Sequence, residues 1–222
     1  MTDAGAPTGP ADPTDPTAPT VGVGPWPGPW PDDPRYDPGL LAEGDRRNVT
    51  DAYRYWTVEA IVADLDTRRA PVQVAIQNWE HDFNIGSIVR TANAFNVTAV
   101  HVVGRRRWNR RGAMVTDRYL HVCHQPSVAD LVTALAGVPL IGVDNVPGSV
   151  PLETTVLPEQ CCLFFGSEGP GLTDEALAAC AQVVAITQRG STRSLNAGAA
   201  AAIALYHWSL CRSQPFADPH HA

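Results

Sequence analysis

The sequence predicts an α/β fold, a mostly parallel sheet with helices on both faces. Three observations predict it. From Pro71 onward, short apolar runs alternate with stretches of helical periodicity, the pattern of parallel strands joined by crossover helices and buried on both sides. The loops after several of those runs are dense in Gly, Asn and Ser, with a single Glu among them. The first 39 residues differ so much in composition that the core must be built from the rest of the 222, which is ample length for one.

In chain order, residues 1–39 contain eleven Pro and six Asp with few aliphatic side chains. Such a segment buries too little apolar surface to offset the entropy of ordering. It reads as a disordered, acidic, Pro-rich tail from which Trp26, Trp30 and Tyr36 can dock. Residues 40–70 read as a helical extension. Asn48 or Thr50 caps a helix running to about Arg68, with Val49, Tyr53, Trp56, Ala60, Ile61 and Leu65 at helical spacing. Arg46, Arg47 and Arg54 lie at its start, against the helix dipole. They point to an anionic partner there, or to an ordinary surface helix.

The main domain spans residues 71–213, followed by a short tail, 214–222. Strands are expected at 72–77, 98–103, 119–122, 140–143, 161–165 and 182–186. Helices are expected at 85–95, at 127–135 (Ser127 and Asp130 at capping-box spacing) and from about 173 to 181. The last helix opens at Ser194-Leu195-Asn196, and from Ala197 to Ala202 every residue is Ala or Gly. A helix without bulk lets another element approach closely, or is simply buried.

The net charge of −7 is mostly the tail's: six Asp against Arg35 leave −2 for the remainder. The chain has no Lys, yet Arg105, Arg106, Arg107, Arg110 and Arg111 surround Trp108 within seven residues. A local field of that kind outweighs the global sum and reads as an RNA-phosphate contact, with a solvated loop as the alternative. No export signal and no membrane-length apolar run are recognisable, and the five Cys form no Cys-x-x-Cys pair. These features predict a cytoplasmic, metal-free protein whose thiols are reduced and mostly buried.

In parallel sheets, ligands sit beyond the carboxyl ends of the strands, which selects three loops. Asn84-Ile85-Gly86 starts a helix with Arg90 further along, suited to hold a phosphate in its planar fork or to make a surface ion pair. Phe165-Gly166-Ser167-Glu168-Gly169-Pro170-Gly171-Leu172 forces an unusual turn around one carboxylate. Its Gly spacing and missing Lys exclude a Walker or dinucleotide-binding loop. Ile186, Gln188 and Gly190 lead into Ser194-Leu195-Asn196.

Together, N-x-G-x-x-x-R, F-G-S-E-G-x-G-L and I-x-Q-x-G-x-x-x-S-L-N resemble, in that order, the SpoU/TrmH family of RNA ribose 2′-O-methyltransferases. The resemblance runs from about Val72 to Trp208. It implies a SPOUT fold with a deep C-terminal trefoil knot (an α/β knot), a homodimer, S-adenosyl-L-methionine as cofactor, and transfer or ribosomal RNA as substrate, tRNA ahead. By position it implies Asn84, Arg90, Glu168, Ser194 and Asn196 as catalytic residues. It implies cofactor contacts at Leu140, Ile141 and Gly142, at Phe165, Gly166, Glu168, Gly169 and Gly171, and at Ile186, Gln188, Leu195 and Ala197. Many members have Met where this chain has Gln188, and Asn96 replaces a usual Gly after the first helix; Asn tolerates positive φ well. The family's small separate RNA-binding domain has no counterpart, and residues 40–70 stand in its place. A guanidinium hardly ever deprotonates, so Arg90 is expected to clamp phosphate and stabilise the emerging alkoxide rather than act as a base. Base-nitrogen methylation and a non-catalytic RNA-binding protein are the rival functions.

Overall fold

The computed structural model describes residues 22–79, 84–167 and 169–211. They divide after Thr57 into two compact units. In the first, helix α1 (Pro38–Glu43) is capped by the Asp37 side chain, which accepts from the N–H groups of Gly39 and Leu40, and it ends at Gly44, φ 93°. Residues 22–39 are therefore not the extended tail expected. Trp26 packs edge-on against Tyr36 and Tyr55, with ring centroids 5.7 and 5.2 Å apart, and Tyr36 does the same to Trp56. The buried Asp45 carboxylate accepts from the Arg47 backbone and guanidinium and from the Tyr55 N–H. Burial would raise its pKa, but those bonds hold it below the ordinary value. Short-range rings and side-chain-to-backbone bonds order this segment, and neither leaves a periodic signal.

The single helix expected up to Arg68 is broken. A 3₁₀ turn covers Asp51–Tyr53, Tyr55 sits at φ 64°, and helix α2 starts only at Val58 and ends at Asp66. Thr50 precedes the turn without a side-chain cap.

The second unit continues with β1 (Ala70–Asn78), α3 (Asn84–Ala94), β2 (Val97–Gly104), β3 (Val122–Gln125), α4 (Val128–Leu135), β4 (Leu140–Val143), β5 (Val150–Pro151), β6 (Cys161–Phe165), α5 (Asp174–Ala179), β7 (Gln182–Ala185) and α6 (Ala197–Leu210). The sheet order is β3-β2-β1-β6-β4-β7-β5, every pair parallel. Alternation along β1 feeds two cores. Val72, Val74 and Ile76 join Ile85, Ile88, Leu205 and Trp208, so α3 and α6 cover one face. Ala75 joins Leu131, Leu135 and Ala176, so α4 and α5 cover the other.

Two expectations need correction. The strand placed at 119–122 begins at Val122, because Thr116–Tyr119 forms a 3₁₀ turn entered through Met114 and Val115, both at positive φ. Of the five thiols, all free, only Cys161 and Cys162 are fully buried, both in central β6. Asn96 does adopt φ 48°, and its side chain bonds the carbonyls of Leu65 and Arg68. Ser127 caps α4 as its spacing suggests, accepting from the Asp130 N–H.

Candidate active site

The carboxyl ends of β4, β6 and β7 and the start of α6 enclose a crevice of about 690 Å³, within the range of small-molecule sites. Its β6 side is the Gly-rich turn. A Cβ on Gly166 would collide with the Gly171 backbone, so no other residue fits there. Gly171, at φ 73°, donates its N–H to the Ser167 carbonyl at 3.0 Å. The turn is pinned from both neighbouring strands. Ser167 Oγ donates to the Gln77 carbonyl, and the Gln77 side chain exchanges two 3.0 Å bonds with Thr173. From β4's end, Asp144 Oδ2 accepts the Leu172 N–H at 2.7 Å. The loop's shape is thus held by bonds between its backbone and the side chains of Gln77 and Asp144, and by the Ser167 hydroxyl.

The other wall comes from the stretch after β7. Ile186 and Gln188 line the crevice, and so do Ser194, Leu195 and Asn196. Asn145 Nδ2, from β4's end, donates to the Arg193 carbonyl and ties this loop down. Helix α6 starts at Ala197 rather than at Ser194, and Asn196 is its cap, its Oδ1 accepting from Gly198 and Ala199. With Oδ1 so engaged, Asn196 Nδ2 is left to donate to Asn84 Oδ1 at 2.7 Å, across 112 residues of sequence. The two motif asparagines are therefore in direct contact. Close packing permits it: a Cβ on Gly198 would sit 3.1 Å from Ser87 Cβ, and one on Gly86 would meet the Gly112 and Ala113 backbone at 2.7 to 2.8 Å.

Of the residues expected to hold a cofactor, Phe165, Gly166, Gly169, Gly171, Ile186, Gln188, Leu195 and Ala197 line this crevice. Leu140, Ile141 and Gly142 do not; they lie inside β4, and the lining passes to Val143, Asp144, Asn145 and Val146 at its end. Arg90 is exposed on α3 and is not part of the lining. Glu168 lies outside the described residues.

The arginine loop follows β2. Buried Asn78 at the end of β1 donates to the Arg105 and Arg107 carbonyls and accepts the Arg105 N–H on its own carbonyl. The backbone is pinned while the side chains of Arg105, Arg106 and Arg107 stay exposed. Arg111 is exposed too; Arg110 lies over the Trp108 ring and pairs with Asp117 at 3.4 Å. Sequence reasoning missed Gln77, Asn78, Asp144 and Asn145. The available signal was a pair of polar residues closing an apolar run, once after β1 and once after β4.

A model of the SpoU rRNA methylase family matches residues 71–206. The chain is 28% identical over 153 residues to the tRNA (guanosine(18)-2′-O)-methyltransferase of Escherichia coli K12, covering 66% of this chain and 67% of that one. Among solved structures, the TrmH/SpoU tRNA modifying enzyme of A. aeolicus aligns with a TM-score of 0.62 at 19% identity, over 73% of this chain and 89% of that one. The SpoU methyltransferase AviRb of Streptomyces viridochromogenes, solved with the cofactor AdoMet, aligns with a TM-score of 0.57 at 25% identity, over 66% and 62%.

Proposed function

The chain belongs to the SpoU rRNA methylase family, and on that premise we propose that it methylates a ribose 2′-hydroxyl in structured RNA, using S-adenosyl-L-methionine. One observation carries the reading: Asn196, which lines a crevice shared with Gly166 and Gly171, bonds Asn84 directly. The residues present fit that cofactor. Gly166, lacking a side chain, lets the Gly171 backbone close against it and so shapes the crevice wall. Gln188 Oε1 is buried, on a residue lining the crevice, without a hydrogen-bond partner among the described residues, an acceptor suited to a donor-bearing ligand.

Bound there, the cofactor supplies an electrophilic methyl group on a sulfonium. The chain's own residues supply alignment and exclusion of water. Asn196, its oxygen fixed by the α6 cap, orients Asn84, and Ser194 offers a hydroxyl beside them. Arg90 grips the phosphate next to the target ribose and stabilises the developing alkoxide, while the proton leaves through a phosphate oxygen or water. Arg105, Arg106, Arg107 and Arg111 supply the positive field that gathers RNA, with Arg110 held against Trp108. Arg90 does not line its own chain's crevice. A homodimer in which one copy's α3 faces the other's crevice would complete the site. The exposed Ile203, Tyr206 and Leu210 of α6 are a candidate part of that interface. A trefoil knot through the 186–196 stretch belongs to the same reading. Transfer RNA is the favoured substrate, because the Escherichia coli relative is named for tRNA; the family's description names rRNA.

The test is methyl transfer from labelled cofactor to separated tRNA and rRNA fractions, followed by a pH–rate profile of Arg90→Lys. Label in a ribose of either fraction supports the reading, and label in neither refutes it. Strong rescue of Arg90→Lys at alkaline pH would support Arg90 as the base instead of the clamp.

A further inference from the structure

The stretch after β7 alternates. Ile186 and Gln188 face the crevice, while Thr187 is exposed and hydrogen-bonds Glu153, as expected of an extended chain. Gln188 thus shares a wall with an aliphatic neighbour, and its Oε1 is sealed from solvent with no donor among the described residues. An acceptor left in that state destabilises the fold, and a Met at this position would avoid the cost at nearly the same length. The carboxamide is therefore explained by a ligand that engages it.

Resting on the cofactor reading above, we propose that Gln188 reads the adenine of that cofactor. Its Oε1 accepts from the exocyclic amine, and its Nε2 donates to the adjacent ring nitrogen, the two-point match that glutamine makes to an adenine edge. Adenine is chosen over the ribose and the amino-acid end by the character of the wall. Ile186, two residues before Gln188 on the same side of the extended stretch, and Leu195 offer apolar surface for a flat ring, and Asp144, Asn145, Ser194 and Asn196 are polar members of the same lining. The terminal amide torsion is broad and roughly two-fold, so the oxygen can turn toward an arriving amine.

The experiment is a calorimetric cycle on the full chain. Wild type and Gln188→Met are each titrated with S-adenosylhomocysteine, its 6-deamino analogue and its 3′-deoxyribose analogue. The amine is expected to strengthen binding to wild type at least fivefold more than binding to Gln188→Met, with no such difference for the 3′-hydroxyl. Unliganded Gln188→Met should melt at the same temperature as wild type or higher, since an orphaned acceptor has been removed. Equal amine effects in both proteins, a difference tied to the 3′-hydroxyl, or a lower melting temperature would each overturn the assignment. Failure of wild type to bind S-adenosylhomocysteine at all would overturn the cofactor reading along with it.

Discussion

The crevice and the arginine loop are built in opposite ways. In the crevice, shape comes from backbone. Gly166 abuts Gly171, Asp144 and Gln77 fix the turn from two strands, and the Asn196 side chain is committed at both ends. In the arginine loop Asn78 fixes the backbone, and the side chains of Arg105, Arg106 and Arg107 stay exposed. A close-packed backbone site tolerates no added atom. A field of exposed charges depends on their number far more than on any one position. If the crevice holds the cofactor and the loop gathers RNA, as proposed, the two kinds of binding fail for different reasons and can be abolished separately.

Gly166→Ala puts that contrast under the greatest load. The added methyl displaces the Gly171 backbone, and cofactor affinity should fall by about a hundredfold if overpacking costs ~3 kcal/mol, the upper end of its usual range. RNA retention on a filter should stay near wild type. Next comes the triple change of Arg105, Arg106 and Arg107 to Ala. RNA affinity should drop about tenfold or more near physiological salt, and the slope of log affinity on log salt should flatten by up to ~3, about 0.9 for each phosphate no longer neutralised. Cofactor affinity should be unchanged by calorimetry.

Asn196→Ala lies between the two regions in kind. It removes a helix cap and the Asn84 hydrogen bond, and should lower stability by about 1–2 kcal/mol in a urea titration, with a larger loss of turnover than of folding. The smallest effect belongs to Arg106→Lys, which keeps the charge on an exposed side chain; RNA affinity should stay within about twofold of wild type. A large loss there would mean that the loop reads shape through a guanidinium fork, and the contrast between the two regions would weaken.

Local order was largely legible in the residues. Strands β4 and β6 have the bounds that their apolar runs suggest, 140–143 and 161–165. Ser127 and Asp130 form the cap that their spacing implies, and Asn96 takes the left-handed conformation expected of a Gly replacement. The strand order was not legible, because pairing β1 with β6 and β4 with β7 is decided by contacts distant in sequence. Nor were Met114 and Val115, where a β-branched residue at φ 66° contradicts local preference. The N-terminal unit escaped because rings around Trp26 and one buried carboxylate, Asp45, do the work usually given to a periodic apolar face. In the crevice, the Gly-rich turn and the asparagine pair stood out by type and order. Their supports did not: Gln77 and Asp144 look like ordinary strand-end polar residues until the burial of Gln77 and the bonds of both are seen.

If three strand-end turns hold one cofactor against one sugar hydroxyl, the product itself must carry the mark. It is read by mass spectrometry of nucleosides from RNA incubated with the purified chain and S-adenosylmethionine bearing a deuterated methyl group. Labelled 2′-O-methylnucleosides are expected, and they should vanish with Gly166→Ala. Label on a base nitrogen, or no labelled nucleoside from either tRNA or rRNA, would contradict that arrangement.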